Sequence, residues 1–139
     1  MAGVVEQVTR ALDQIGQAIR EGDGVVLFPE GTTSIGADVA ELKPALLHWA
    51  ARENHPVHFA AISYASPDPD RPAHLKVCWW GDAALLPHVA ELCRMRQFHA
   101  TVTFGRAPLS DANRGALAAR LHGAISEHFV PVVSPEVLS

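Results

Sequence analysis

Residues 25–34 read Val-Val-Leu-Phe-Pro-Glu-Gly-Thr-Thr-Ser, an apolar run that breaks into a proline, an acid, a glycine and three hydroxyl side chains. Val25 to Phe28 predicts a short buried strand, and Pro29 stops regular pairing because it has no N–H to donate. Gly31 permits a tight turn and lets a ligand come close to the backbone. Thr32, Thr33 and Ser34 then offer hydroxyls and N–H groups to an oxygen-rich ligand. A strand that leaves through such a turn constrains the chain to a layered arrangement with chemistry in its strand-end loops. The turn is therefore expected to open into a cleft at the C-terminal end of that strand.

The rest of the chain supplies the layers. Val8, Leu12, Ile15 and Ile19 recur at helical spacing up to Glu21-Gly22-Asp23-Gly24. Leu42, Leu46, Leu47 and Ala50 predict a second helix with Pro44 in its first turn, ending near Asn54-His55-Pro56. Val57 to Ser63 reads as a central strand, Ser66 to Pro72 as a proline-rich loop, Leu75 to Trp80 as another strand, and Leu86 to Leu92 as a short helix started by Pro87. Phe98, Ala100, Val102 and Phe104 alternate with His99, Thr101 and Thr103, the period of a half-buried strand nearer an edge. Ser110 and Asp111 stand where they would cap a last helix, whose buried stripe is Leu117, Leu121 and Ile125. Strands alternating with helices predict an α/β domain, a layered sheet flanked by helices.

The segment Phe28-Pro29-Glu30-Gly31-Thr32-Thr33-Ser34 resembles the Phe-Pro-Glu-Gly-Thr-x-Ser signature of the glycerolipid acyltransferases, the PlsC-like enzymes that acylate lysophosphatidic acid and related lysolipids. The resemblance implies transfer of a fatty acyl group from a thioester carrier, coenzyme A or acyl carrier protein, to a lysolipid hydroxyl, with no metal and no resident cofactor. It implies that Phe28 to Ser34 meet the acceptor, together with Lys43, which stands where the family often has a basic residue opening the next helix. For Glu30, bracing the turn is favoured over direct catalysis, because buried acids are usually hydrogen-bonded or paired. His55-Pro56-Val57, Trp79-Trp80-Gly81-Asp82 and Phe104 to Leu109 also resemble strand entries and ends of bacterial members, including those acting on lyso-ornithine lipid.

The departures are equally informative. The family's base is the histidine of an upstream His-x-x-x-x-Asp pair, and no such pair occurs in this sequence. The family's arginine-bearing phosphate segment has no counterpart before Val25, Thr33 stands where many members carry arginine, and Ala60 occupies a region where the family commonly has a second proline. Without that guanidinium a phosphate-bearing head group is less well supported than the reaction class. Residues 1–139 thus read as a single partial acyltransferase domain with a partial glycerolipid acyltransferase fold, resembling its C-terminal two-thirds. By itself it is expected to be inactive in transfer. The competing expectation is a non-catalytic lipid-binding remnant or interaction module.

Composition narrows the partners. A net charge of −4 argues against nucleic acid and against strong electrostatic adhesion to an anionic membrane. Any membrane contact would be local and peripheral, at the inner face of the cell membrane of an otherwise cytoplasmic protein, since no signal-peptide pattern or bilayer-length apolar stretch is present. Cys78 and Cys93 read as reduced core thiols. His48 with Glu53 imitates the His-x-x-x-x-acid spacing, but downstream of the turn and within a helix. His48, His55 and His58 lack the cysteine or carboxylate partners of a metal site. Trp49, Trp79 and Trp80 are read as core, with one of the adjacent pair facing a second layer or a partner surface; an acyl-chain wall or interfacial patch is the alternative.

Overall fold

The computed structural model describes residues 12–134; Val8, the first residue of the helical stripe, lies outside them. Helix α1 covers residues 12–20 within that span. It ends where Gly22 takes a φ of 90° and the N–H groups of Gly22 and Asp23 donate to the carbonyls of Ile19 (3.1 Å) and Ala18 (2.9 Å). This is a left-handed helix cap, which a residue without Cβ enters at little cost. Gly16 is buried against the Trp49 indole, and a side chain there would collide with it.

The second helix begins as expected at Pro44. A 3₁₀ turn, Pro44–Leu47, runs into α2, His48–Arg52. Asn54, at φ 46°, closes it with the same cap geometry: the Asn54 N–H donates to Ala51 and the His55 N–H to Ala50. Leu42, Leu47 and Ala51 pack against Leu117, Ala118 and Leu121 of the last helix, α5 (Arg114–His128), and this cluster is the core. Leu117 is fully buried, and the expected stripe of Leu117, Leu121 and Ile125 faces inward. The cap of α5 differs from expectation: Asn113, rather than Ser110 or Asp111, accepts from the N–H groups of Gly115 (2.9 Å) and Ala116 (3.1 Å). Asp111 acts one step earlier, accepting from the Asn113 N–H.

The sheet is smaller than the alternation predicts. β1 (Ala60–Ala65) and β2 (His99–Phe104) pair antiparallel, from Ala60 opposite Phe104 to Ala65 opposite His99. Among the described residues the sheet has two strands, both of them edges, so the central strand expected over Val57 to Ser63 is corrected in place and in position. The expected strands over Val25 to Phe28 and Leu75 to Trp80 do not form. Apolar composition yields a strand only where a neighbouring strand accepts from its N–H groups and donates to its C=O groups, and Val26 (81% exposed) and Phe28 (69%) have no such neighbour among the described residues. The architecture is therefore mixed helix and sheet, compatible with the α/β class.

Register also reverses the expected faces. Ala61 and Ser63 are buried on the face that meets α5, and Thr103 and Thr101 lie opposite them. Val102 and Phe104 consequently face away and stay exposed, although their alternation marked them as the buried set.

The segment 73–93 forms two helices, α3 (Ala73–Lys76) and α4 (Leu85–Cys93). Lys76 of α3 meets Glu91 of α4 at 3.2 Å, and Glu91 also accepts from Arg94. Arg94 first, then Lys76, holds the Glu91 carboxyl below the usual carboxylate range. Cys78 is buried as expected, whereas Cys93, expected in the core, is exposed on a helix with no buried residue among the described ones. Trp49 is core; Trp79 (38%) and Trp80 (41%) are both partly exposed, since the pleat that would have hidden one of them is absent. No helix among the described residues is long and apolar enough to cross a membrane.

Candidate functional site

The Pro-Glu-Gly turn opens a loop whose two ends meet. The Gly31 N–H donates to the Phe28 carbonyl at 3.0 Å, closing the turn, and Gly31 takes the left-handed φ of 66° that its lack of Cβ permits. The Lys43 N–H donates to the Pro29 carbonyl at 2.7 Å, so residues 29 and 43 form the neck of an Ω-like loop. Inside it, Oε2 of Glu30 accepts the Ala40 N–H at 3.0 Å, and Oγ of Ser34 accepts the Gly36 N–H at 3.2 Å. Glu30 therefore braces the loop by taking a backbone donor. The Gly36 carbonyl in turn accepts the Val132 N–H at 2.7 Å, tying the loop to the C-terminal segment.

Lys43 is the residue that the fold adds to the turn. A Cβ placed on Gly31 would stand 2.8 Å from Nζ and 2.9 Å from Cδ of Lys43, so the lysine tail lies directly over the glycine. The loop thus shows solvent the Phe28 ring, the side chains of Thr32 and Thr33, and Lys43. Ser34 is turned to its internal bond and is only half-exposed. This arrangement can hold an amphipathic molecule with an anionic or oxygen-rich head.

Two concavities lie elsewhere on the molecule. A concavity of ≈350 Å³ lies between Tyr64, Pro72, His74 and Val130, and a second of ≈710 Å³ lies between His48, Arg52 and Arg114; neither includes residues 28–34 or Lys43. The segment Val25 to Phe28 that leads into the loop is unpaired among the described residues, with Val26 and Phe28 exposed.

Several histidines are engaged by other parts of the fold, and the His-x-x-x-x-acid spacings have other partners. Glu53, at the imitating distance from His48, is engaged by Nε of Arg52 at 2.9 Å. His122 has the same spacing to Glu127, a second imitation visible in the sequence, and its Nε2 lies 2.9 Å from the Val39 carbonyl. His55 stacks obliquely on Trp49, with ring centroids 5.1 Å apart. No group of three metal-ligating side chains occurs among the described residues.

Comparison with known proteins places the chain beside part of two longer ones. No family model matches this chain, and no solved structure gives a significant match. A lyso-ornithine lipid O-acyltransferase of Rhizobium meliloti (strain 1021) is 35% identical over 106 residues, covering 69% of this chain and 36% of that protein. Another, from Brucella abortus (strain 2308), is 32% identical over 124 residues, covering 81% of this chain and 46% of its own length. The chain spans less than half the length of these relatives. The likeness to the PlsC-like acyltransferases, read first in residues 28–34, thus holds as similarity to part of such a protein.

Proposed function

We propose that this chain is the acceptor-holding part of a lysolipid O-acyltransferase, in which residues Phe28 to Ser34 and Lys43 position the lysolipid whose hydroxyl receives a fatty acyl group. The observation that carries the reading is the braced loop: within a signature shared with acyltransferases, Glu30 fixes the Ala40 N–H and Lys43 lies over Gly31. The acyl donor is a thioester, coenzyme A or acyl carrier protein, and the donor is a co-substrate with no resident cofactor. The acceptor class follows from chemistry and similarity together. Thr33 supplies no guanidinium for a phosphate, a lysine ammonium suits the carboxylate of an amino-acid head group, and the two relatives carry lyso-ornithine lipid in their names.

Transfer would proceed by attack of the acceptor hydroxyl on the thioester carbonyl, with the proton taken by a histidine base and the carrier thiol leaving. The loop's share is to bind and orient; no His-x-x-x-x-Asp pair in the sequence supplies the base. The competing reading is a lipid-binding module without transfer. Titration of the purified chain with lyso-ornithine lipid tests the binding role: saturable binding weakened by Lys43→Met is expected, and binding indifferent to Lys43 would remove it. Acyl transfer when the chain is joined to a His-x-x-x-x-Asp segment from one of the relatives distinguishes the enzyme from the binding module.

A further inference from the structure

One peptide group of the signature loop is held at both ends. Oε2 of Glu30 accepts the Ala40 N–H at 3.0 Å, and the carbonyl of that same peptide, belonging to Val39, lies 2.9 Å from Nε2 of His122. A carbonyl oxygen only accepts, so Nε2 is the ring nitrogen that carries hydrogen and donates. The Val39–Ala40 peptide thus joins an acid of the Pro-Glu-Gly turn to an imidazole of α5. A peptide that donates at one end and accepts at the other is polarised in one direction by both partners, so each bond strengthens the other.

The place of this grip in the fold gives it reach. His122 stands one turn beyond buried Ala118 on α5, and the Val39 side chain packs against the core cluster. The loop is therefore anchored to the core at residues 39 and 40. Glu30, Val39, Ala40 and His122 are all half-buried, whereas Gly31, Thr32, Thr33 and Lys43 are exposed. Two short paths lead outward from the anchor. One runs through the Glu30 side chain to the Gly31 turn, and the other along the backbone to Lys43, whose N–H closes the neck on Pro29.

We propose that His122, outside the signature, is a positioning residue for the acceptor: it acts through the Val39–Ala40 peptide on Glu30 and keeps the turn and Lys43 in the arrangement that receives the lysolipid. This rests on the reading of the loop as a lysolipid site. A loop that spends time in other arrangements loses apparent affinity in proportion to the fraction that leaves the competent one. Removal of the His122 donor is therefore felt as weaker binding even though the imidazole acts through the loop backbone.

The amide proton–nitrogen spectrum of the isotope-labelled chain, recorded without lipid, reads the grip by itself. His122→Leu removes the donor and should move the Ala40 resonance, while His122→Gln, whose amide can donate, should return it toward the parent position. Glu30→Gln should move the same resonance from the other end, since a neutral amide oxygen accepts less strongly than a carboxylate. Titration with lyso-ornithine lipid then reads the consequence. His122→Leu should bind about two- to tenfold more weakly, with His122→Gln nearer the parent, and Glu30→Ala with His122→Leu should together lose less than the product of the two single losses. Asn113→Ala, which removes the cap at the other end of α5, should lower the urea midpoint without weakening binding. If His122→Leu does not fold, His122→Asn, whose amide is too short to reach the carbonyl, replaces it in both measurements. An Ala40 resonance indifferent to the loss of the donor, or binding weakened by Lys43→Met but not by His122→Leu, would overturn the positioning role and leave the acceptor reading standing. An equal loss of affinity in Asn113→Ala would overturn it too, by reducing His122 to support of the fold. If the parent chain binds no lyso-ornithine lipid, the acceptor reading fails and the positioning role falls with it, whatever the Ala40 resonance does.

Discussion

Gly31 and Gly22 form a matched pair from which the role of Lys43 is measurable. Both have positive φ, 66° and 90°, so alanine at either carries a left-handed backbone cost of about 1–2 kcal/mol. Loss of unfolded-state freedom offsets roughly 0.4–1 kcal/mol of that, which leaves a net destabilisation of about 1 kcal/mol at each site. The surroundings differ. Nothing lies within 4 Å of a Cβ on Gly22, whereas on Gly31 it would meet Nζ, Cδ and Cε of Lys43 at 2.8, 2.9 and 3.1 Å. A lysine tail moves cheaply, so the two variants should lose similar stability in urea, within about 0.5 kcal/mol. Binding should separate them. A displaced ammonium forfeits a charged hydrogen bond to the acceptor, worth about 1.5–3 kcal/mol, so titration with lyso-ornithine lipid should show affinity falling about 10- to 150-fold in Gly31→Ala. Gly22→Ala should bind as the parent does, and Lys43→Met should reproduce the binding loss without the backbone cost. If Gly31→Ala binds no worse than Gly22→Ala, the placement of Lys43 over the turn has no part in holding a ligand.

Leu117→Ala should lower stability by about 2–5 kcal/mol in urea unfolding, because Leu117 is fully buried in the core cluster; a loss under about 1 kcal/mol would contradict that placement. Asn113→Ala should cost about 1 kcal/mol, and Ser110→Ala much less; the reverse order would return the cap to Ser110. Burial raises the Cys78 thiol above its ordinary value, so in the alkaline range the unfolded chain releases that proton first. Stability should accordingly be unaffected at neutral pH and decline as pH rises past about 8.5, a decline that Cys78→Ala removes. The chain alone should show no acyl transfer with lysolipids and either type of thioester; turnover abolished by His48→Ala would overturn the structural role of that histidine.

Helix ends and stripes were legible in the sequence because their causes are local. Gly22 and Asn54 stop α1 and α2 through backbone geometry, Pro44 opens the second helix, and Leu117 with Leu121 marks the inward face of α5. Strands were not, since a strand exists by virtue of a partner that composition does not name: Val25 to Phe28 and Leu75 to Trp80 have strand-like residues and no ladder among the described residues. Alternation located β2 but not its inner face. That face was set by register against Ala61 and Ser63, which lie far away in sequence. At the candidate site, the motif pointed to the turn, and Glu30 acts on its backbone as an acid there was expected to. The overlay of Lys43 on Gly31 depends on the Pro29–Lys43 neck and was not readable from spacing.

The contact of Gly36 with Val132 and Cys78 makes the buried thiol a stopwatch. A Cβ on Gly36 would press on Val132 at 2.7 Å and reach Sγ of Cys78 at 3.6 Å, so the loop backbone and the C-terminal segment together wall off the sulfur. A bulky alkylating reagent gains access when the two segments part. If they close again faster than the reagent attacks, the modification rate at Cys78 is the intrinsic thiol rate multiplied by the fraction of molecules open, and the logarithm of that fraction gives the free energy of that one local opening. Exposed Cys93 supplies the intrinsic rate in the same tube. Any molecule that seats on the loop and steadies it would announce itself by slowing the clock at Cys78 while leaving Cys93 at its original pace.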